Sequence, residues 1–311
     1  MDFKFTDTPP AAKDEECRVV YPGTYEDTAD IRELHIPEGT EEIAEDTFRS
    51  FASVETVYFP STLKVVGAGA FAGCKSLKSV YMNHGLERIL DEAFSSCPTL
   101  SAITVPDTVS RIGMGAFEGC ATLSKIKLSE SLLMIGASAF SFCFNLRDVV
   151  IPDSCILVEF SAFSNCFSLE SVKLSDNMGL IDDSTFEGCR SLKIVDMPAR
   201  LSRIGRSAFK GCTSLSTVIL PVGMREISTE AFYGCTSLSR ISLPRSLAKI
   251  EDVDAFYSCD TLSEISYGGN KQGWEILTGG NSLTVEHSDL TLSTPKINFL
   301  DIKNEVQVPN T

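Results

Sequence analysis

The apolar positions of this chain repeat with one period. Phenylalanine stands at Phe48, Phe71, Phe94, Phe117, Phe140, Phe163, Phe186, Phe209 and Phe232, each 23 residues after the last, and Phe256 follows after 24. Other columns keep step. Alanine precedes the Phe in every unit except those of Thr47 and Thr185. Cysteine follows three residues later from Cys74 to Cys259, with Phe51 in its place in the first unit. Leucine comes at six (Leu77 to Leu262), Val or Ile at nine (Val57, Val80, Ile103 and onward to Ile265), and another apolar residue at eleven. Proline often comes next, as at Pro60, Pro106 and Pro152, and Ile or Val recurs late in the unit, as at Ile89, Ile112 and Ile135. A strict period of this length marks a repeat architecture.

The elements follow from the local pattern. Around Val80 and Met82 the alternation has period two, as a half-buried strand requires. Proline at its end lacks an N–H and stops the ladder. The Ala-Phe-x-x-Cys stretch has i, i+3 apolar spacing and predicts a helical turn on the opposite side. Gly67, Gly113, Gly136 and Gly205 precede it, where the chain changes direction. One such unit cannot bury its own apolar side, but stacked units can. The predicted fold class is therefore an α/β solenoid: a right-handed superhelix of about ten 23-residue repeats, with a parallel sheet on the concave face and short helical turns or short strands opposite. At about 4.8 Å per strand, roughly eleven strands make a sheet on the order of 50 Å long. Residues 1–30 are expected to form an N-terminal tail or cap, 31–267 the solenoid and 268–311 a C-terminal cap.

Charge narrows the partners. The net charge is −15, which argues against nucleic acid or an anionic membrane, since phosphate binding needs clustered Lys and Arg. No run of 18 apolar residues exists, so no membrane insertion is expected. The first residues lack the basic start and apolar stretch of a secretory signal. The sequence as given thus reads as cytoplasmic, the alternative being a cell-surface or secreted protein whose export signal is absent from it.

The columns resemble the BspA-type leucine-rich repeats, with the pattern L-x-x-V-x-[LI]-P … I-G-x-x-A-F-x-x-C, over roughly residues 31–267. The segment from Tyr267 through Gly268, Gly269 and Trp274 to Ile276 is similar to the terminal Tyr-x-Gly…Trp-x-x-Ile of such proteins. The resemblance implies binding and adhesion, at the cell surface in most members. Fold alone does not fix function.

Candidate chemistry is sparse. The Cys column would place neighbouring Cα atoms about 5 Å apart, inside the disulfide range, yet parallel Cβ vectors disfavour pairing. Buried reduced thiols are expected. Cys17 and Cys155 fall outside the column, where exposure is open to them. No Cys-x-x-Cys or His cluster suggests zinc. His35, His84 and His287 form no nucleophile–base motif, and Gly268-Gly269 and Gly279-Gly280 match no phosphate loop. No enzyme activity, cofactor or metal is expected.

The outward side of the sheet is more informative. The columns eight and ten after the Phe contain four basic and four acidic residues, so this face is near neutral while the chain is strongly acidic. His35, Tyr58 and Tyr81 form a predicted aromatic strip, followed along the same column by Lys127, Lys173 and Asp196. Aromatic strips of this kind supply hot-spot contacts, although Tyr also simply favours strands. A second candidate is a set of apolar residues in columns that are polar or small elsewhere: Leu133, Met134, Phe142, Phe144, Ile156, Leu157, Phe160 and Phe167. Exposed, they form an interaction patch; tucked inward, they enlarge the core. The functional expectation is a non-catalytic protein-binding or scaffold module. The alternatives are an adhesin for a host or matrix protein, and an enzyme or effector with a site in the terminal segments.

Overall fold

The computed structural model describes residues 19–20, 31–251, 253–279, 285–286 and 292–300. The chain is a parallel β-solenoid with two ladders of short strands on different sides of each coil. The front ladder is built from strands such as Glu33–His35, Thr56–Tyr58 and Ser79–Tyr81, and lengthens to four residues at Arg240–Leu243 and Glu264–Tyr267. The back ladder uses two-residue strands such as Val65–Val66, Arg88–Ile89 and Arg111–Ile112. Pairing joins each residue to its equivalent one repeat later, as Val57 to Val80. One side chain per short strand points inward and its neighbours outward, because the pleat has period two.

The front ladder is not one continuous sheet. It is interrupted after Ser79–Tyr81, after Lys125–Lys127 and after Ile194–Asp196. The back ladder breaks between Leu157–Val158 and Leu180–Ile181. The Ala-Phe turns hold the coils together across these gaps: Phe48 N–H donates to Ala70 O at 2.7 Å, Phe163 to Thr185 O at 2.9 Å, and Phe186 to Ala208 O at 2.8 Å. This third ladder needs no extended backbone, which is why it spans the coils where the strands part.

The predicted helical turn takes a different form. A 3-10 turn occurs at Val253–Phe256; most other units carry tight turns containing left-handed residues such as Glu92, Ser96 and Ser138. These let the chain reverse within a few residues while Phe and Cys both point inward. The four glycines stand immediately before these turns, as expected. Their φ values are not left-handed; instead a Cβ on Gly67 would stand 2.4 Å from Ile43 O of the preceding coil. Close stacking of backbones excludes a side chain there.

The core is a set of columns. The ten anchor Phe rings are fully buried and stack face to face, with centroids 5.3 Å apart and planes 7° apart for Phe94 and Phe117. Each burial is worth about 1.5–3 kcal/mol. The widest steps, 5.7 Å, lie at Phe163–Phe186, beside the break in the back ladder, and at Phe232–Phe256, where the repeat gains a residue. Thr47 tolerates its buried Ala column because its hydroxyl donates to Ala44 O at 2.7 Å.

At the C-terminal end, Lys296–Phe299 adds a parallel strand to Glu264–Tyr267. The helix Lys271–Leu277 is capped by Asn270 and buries Trp274 against Tyr267, ring centroids 5.4 Å apart. Apart from Val19–Val20, which pairs with Glu42–Ile43, the expected N-terminal cap lies outside the described residues.

Candidate functional site

The aromatic strip is present as a stack. His35 and Tyr58 lie 4.4 Å apart with planes at 9°, and Tyr58 and Tyr81 lie 4.8 Å apart at 4°. Register produces this: the three occupy the same outward position of strands that pair residue for residue. Partial burial within the stack, followed by the charges of Glu33 and Tyr81, raises the Tyr58 phenol above its ordinary value. The stack ends at Tyr81, which is 57% exposed, because the next position holds Thr104 and the ladder is interrupted there. An open groove of ≈ 360 Å³ occupies this step, lined by Tyr81, Met82, His84, Thr104 and Pro106 among others. His287 lies outside the described residues.

Lys127, Lys173 and Asp196 point outward farther along the same column. They do not join the aromatic stack, lying two, four and five coils beyond Tyr81. Between and beyond them stand exposed Val150 and Ile219, with Ile194 in the neighbouring column. All three lie in the outward columns eight and ten residues after the Phe. Their apolar character in a solvent-facing position was the available signal.

The middle apolar set is largely on the surface rather than in an enlarged core. Leu133, Phe142, Phe144, Ile156 and Phe160 are exposed, and Met134, Leu157 and Phe167 are half-buried. Ring contacts join one part: Phe142 meets Phe144 edge-on at 6.1 Å, and Phe144 stacks on Phe167 at 4.9 Å. Arg190 lies over the far face of that stack, 4.6 Å from the Phe167 centroid. Another part lies along the back ladder, where Met134 pairs in register with Leu157, and Ile156 N–H donates to Leu133 O at 3.0 Å. Met114 is also exposed. It shares a column with Phe160, and the sequence analysis missed it.

Phe142 has φ = +60°. Most other units put Gly, Ser or Asn at that position, and a bulky side chain in the left-handed region costs on the order of 1–2 kcal/mol. An exposed aromatic held at that cost points to a role other than stability.

The cysteines are thiols in a column. Cys74 Sγ donates to Phe48 O at 3.2 Å, and the same bond recurs up the ladder to Cys259 and Phe232 O at 3.1 Å. Burial pushes the Cys120 and Cys259 thiols up to about 12. Cys155 is buried as well, against the expectation that it could be exposed, and burial pushes it to about 11. It occupies the inward position of the turn after Pro152, where Leu63 and Leu201 stand after Pro60 and Pro198. High thiol pKa values and burial oppose nucleophilic chemistry. Among the described residues no group of three His, Cys, Asp or Glu side chains converges as metal ligands, and no helix is long and apolar enough to cross a membrane.

These stacked coils, with their Phe and Cys columns, define a leucine-rich-repeat solenoid. The sequence matches the BspA type leucine rich repeat region in six copies, over residues 18–143, 87–215 and 158–275. The chain belongs to the BspA-type leucine-rich-repeat family. Among solved structures it is similar to a leucine-rich repeat protein from Bacteroides ovatus, at 24% identity over 91% of this chain and 87% of that one, with a TM-score of 0.57. It is also similar to the pneumococcal vaccine antigen PcpA, at 21% identity over 80% of each chain, with a TM-score of 0.53. These likenesses concern the fold. No curated protein matches the sequence.

Proposed function

We propose that the protein is a non-catalytic protein-binding module that engages its partner through the front face around His35, Tyr58 and Tyr81. The observation that carries this reading is the stacked, solvent-facing ring column beside an open groove. Side chains already ordered by stacking lose little entropy on binding, and Tyr is favoured at interface hot spots. The near-neutral charge of this face within an acidic chain supports docking against protein rather than nucleic acid.

The middle apolar set is a second interface in this reading, supported by its exposure and by the backbone strain at Phe142. The ten cysteines among the described residues, all buried and unpaired, fit a reducing compartment and a cytoplasmic scaffold. A second reading, a surface adhesin that binds a host or matrix protein, draws support from the vaccine antigen that shares the fold. Surface protease treatment of intact source cells separates the two: digestion of the protein favours the adhesin, and protection favours the scaffold.

The binding reading is tested by affinity capture from a lysate of the source cell, with wild type beside Tyr58→Ala/Tyr81→Ala. The expected result is a partner protein retained by wild type and lost by the variant, while circular dichroism stays unchanged. Equal capture by both would remove the front face from the proposal.

A further inference from the structure

The outward column of the back ladder carries a charge arrangement that folding does not explain. Arg88 and Arg111 are Cα partners on successive strands, both exposed. Among the described residues neither makes an ion pair, whereas Lys64, Lys193 and Lys249 are each paired with a glutamate one repeat earlier. Like charges set side by side on a ladder are destabilising, and this chain has few cations to spare at a net charge of −15. The column continues through half-buried Met134 and Leu157 and, across the break in the back ladder, through half-buried Leu180 to exposed Arg203, whose Cα partner on the next strand is Glu226. Beside it, Leu133 and Ile156 are 51% and 65% exposed. An apolar centre is thus flanked by arginine along the solenoid axis.

We infer that this back-ladder strip docks an acidic segment of another protein, apolar at its centre and carrying carboxylates at both ends. The inference rests on the protein-binding reading and supplies the partner chemistry for part of the middle apolar set. Charge complementarity selects the occupant. Arg88 to Arg203 spans five coils, about 24 Å, a distance that roughly eight extended residues cover. A second copy of this chain is a poor occupant: a two-fold axis through the apolar centre turns the strip end for end and brings Arg203 against Arg88 or Arg111 of the other copy. Arginine also suits carboxylate recognition through paired N–H donors.

The test uses two fluorescein-labelled peptides of about eight residues, alternating Leu and Thr in the centre, one with paired Asp at both ends and one with paired Lys. Anisotropy is read with the full chain at ~50 and ~300 mM salt. The acidic peptide should bind at least about tenfold more tightly than the basic one, and the difference should shrink at the higher salt. Arg88→Glu/Arg111→Glu/Arg203→Glu should reverse the preference, and Leu133→Asp/Ile156→Asp should weaken the acidic peptide, with thermal melts confirming folded variants. Equal binding of the two peptides, or no binding of the acidic one, overturns the inference. So does self-association that Leu133→Asp/Ile156→Asp abolishes. Failure here with retention of a Tyr58- and Tyr81-dependent partner would leave the front-face reading standing, so the two are separable.

Discussion

The thiol of Cys143 donates to the carbonyl oxygen of Phe117 at 3.3 Å, tying the Cys column of one coil to the Phe column of the coil before it. Cysteine suits this position because it is small, apolar and still a donor. Cys143→Ala should cost about 1–2 kcal/mol, from the lost hydrogen bond and a small cavity. Cys143→Leu should cost more, since a close-packed column has no room for added volume. Urea denaturation of both variants checks the order.

The same burial makes the fold sensitive to alkali. Eight thiols, those of Cys120, Cys143, Cys155, Cys166, Cys189, Cys212, Cys235 and Cys259, are raised above the ordinary 9.0 by burial. A raised folded value means that stability is intact below pH 9 and is lost as the unfolded chain releases protons that the folded chain keeps. Each thiol contributes about 1.4 kcal/mol per pH unit between its unfolded value and its own raised folded value. Together they should overcome a total stability of about 5–15 kcal/mol within roughly one to two pH units. Circular dichroism should show cooperative unfolding between pH 9 and about 11. Unchanged structure and stability above pH 11 would mean that the column is not buried as thiol.

Glycine at the tight coil contact should be irreplaceable, and glycine in an open turn should not. Gly67→Ala sets a Cβ against backbone of Ile43 and Ala44, while at Gly179 the nearest atom stands 3.9 Å away. The first substitution should cost more than about 2 kcal/mol and the second less than about 1. Melting temperatures compared side by side read the contrast; similar losses would remove close backbone approach as the reason for Gly67.

Phe142 offers a case in which stability and binding part. Phe142→Gly removes a side chain from a left-handed position and should leave stability unchanged or raise it by up to about 1 kcal/mol. If the ring belongs to an interface, the same substitution should weaken association. A destabilisation of about 3 kcal/mol, the scale for a buried Phe, would mark Phe142 as core.

Much of the fold is legible in the sequence, because a repeat specifies itself many times over. The Phe, Cys and Leu columns needed only their period to show that like residues stack, and a period-two strand told which residues face out. The stacking of His35 on Tyr58 followed from register alone. Less legible was the turn: the i, i+3 spacing of Ala-Phe-x-x-Cys suits a helix, yet left-handed residues at positions such as Glu92 and Ser138 reverse the chain more sharply. Cys155 looked out of register because its column belongs to the proline turn and normally holds leucine.

What the sequence determined by itself was therefore periodic: the number of coils, their inward columns and the pairing register, each enforced by burial of the same side chain in every unit. The tertiary structure decided what depends on departures from the period. It set where the front ladder parts beside Tyr81, left Leu133, Phe142, Phe144, Ile156 and Phe160 on the surface rather than in the core, and turned the chain through left-handed residues such as Glu92 and Ser138. Those features differ from coil to coil, and a period alone does not specify them.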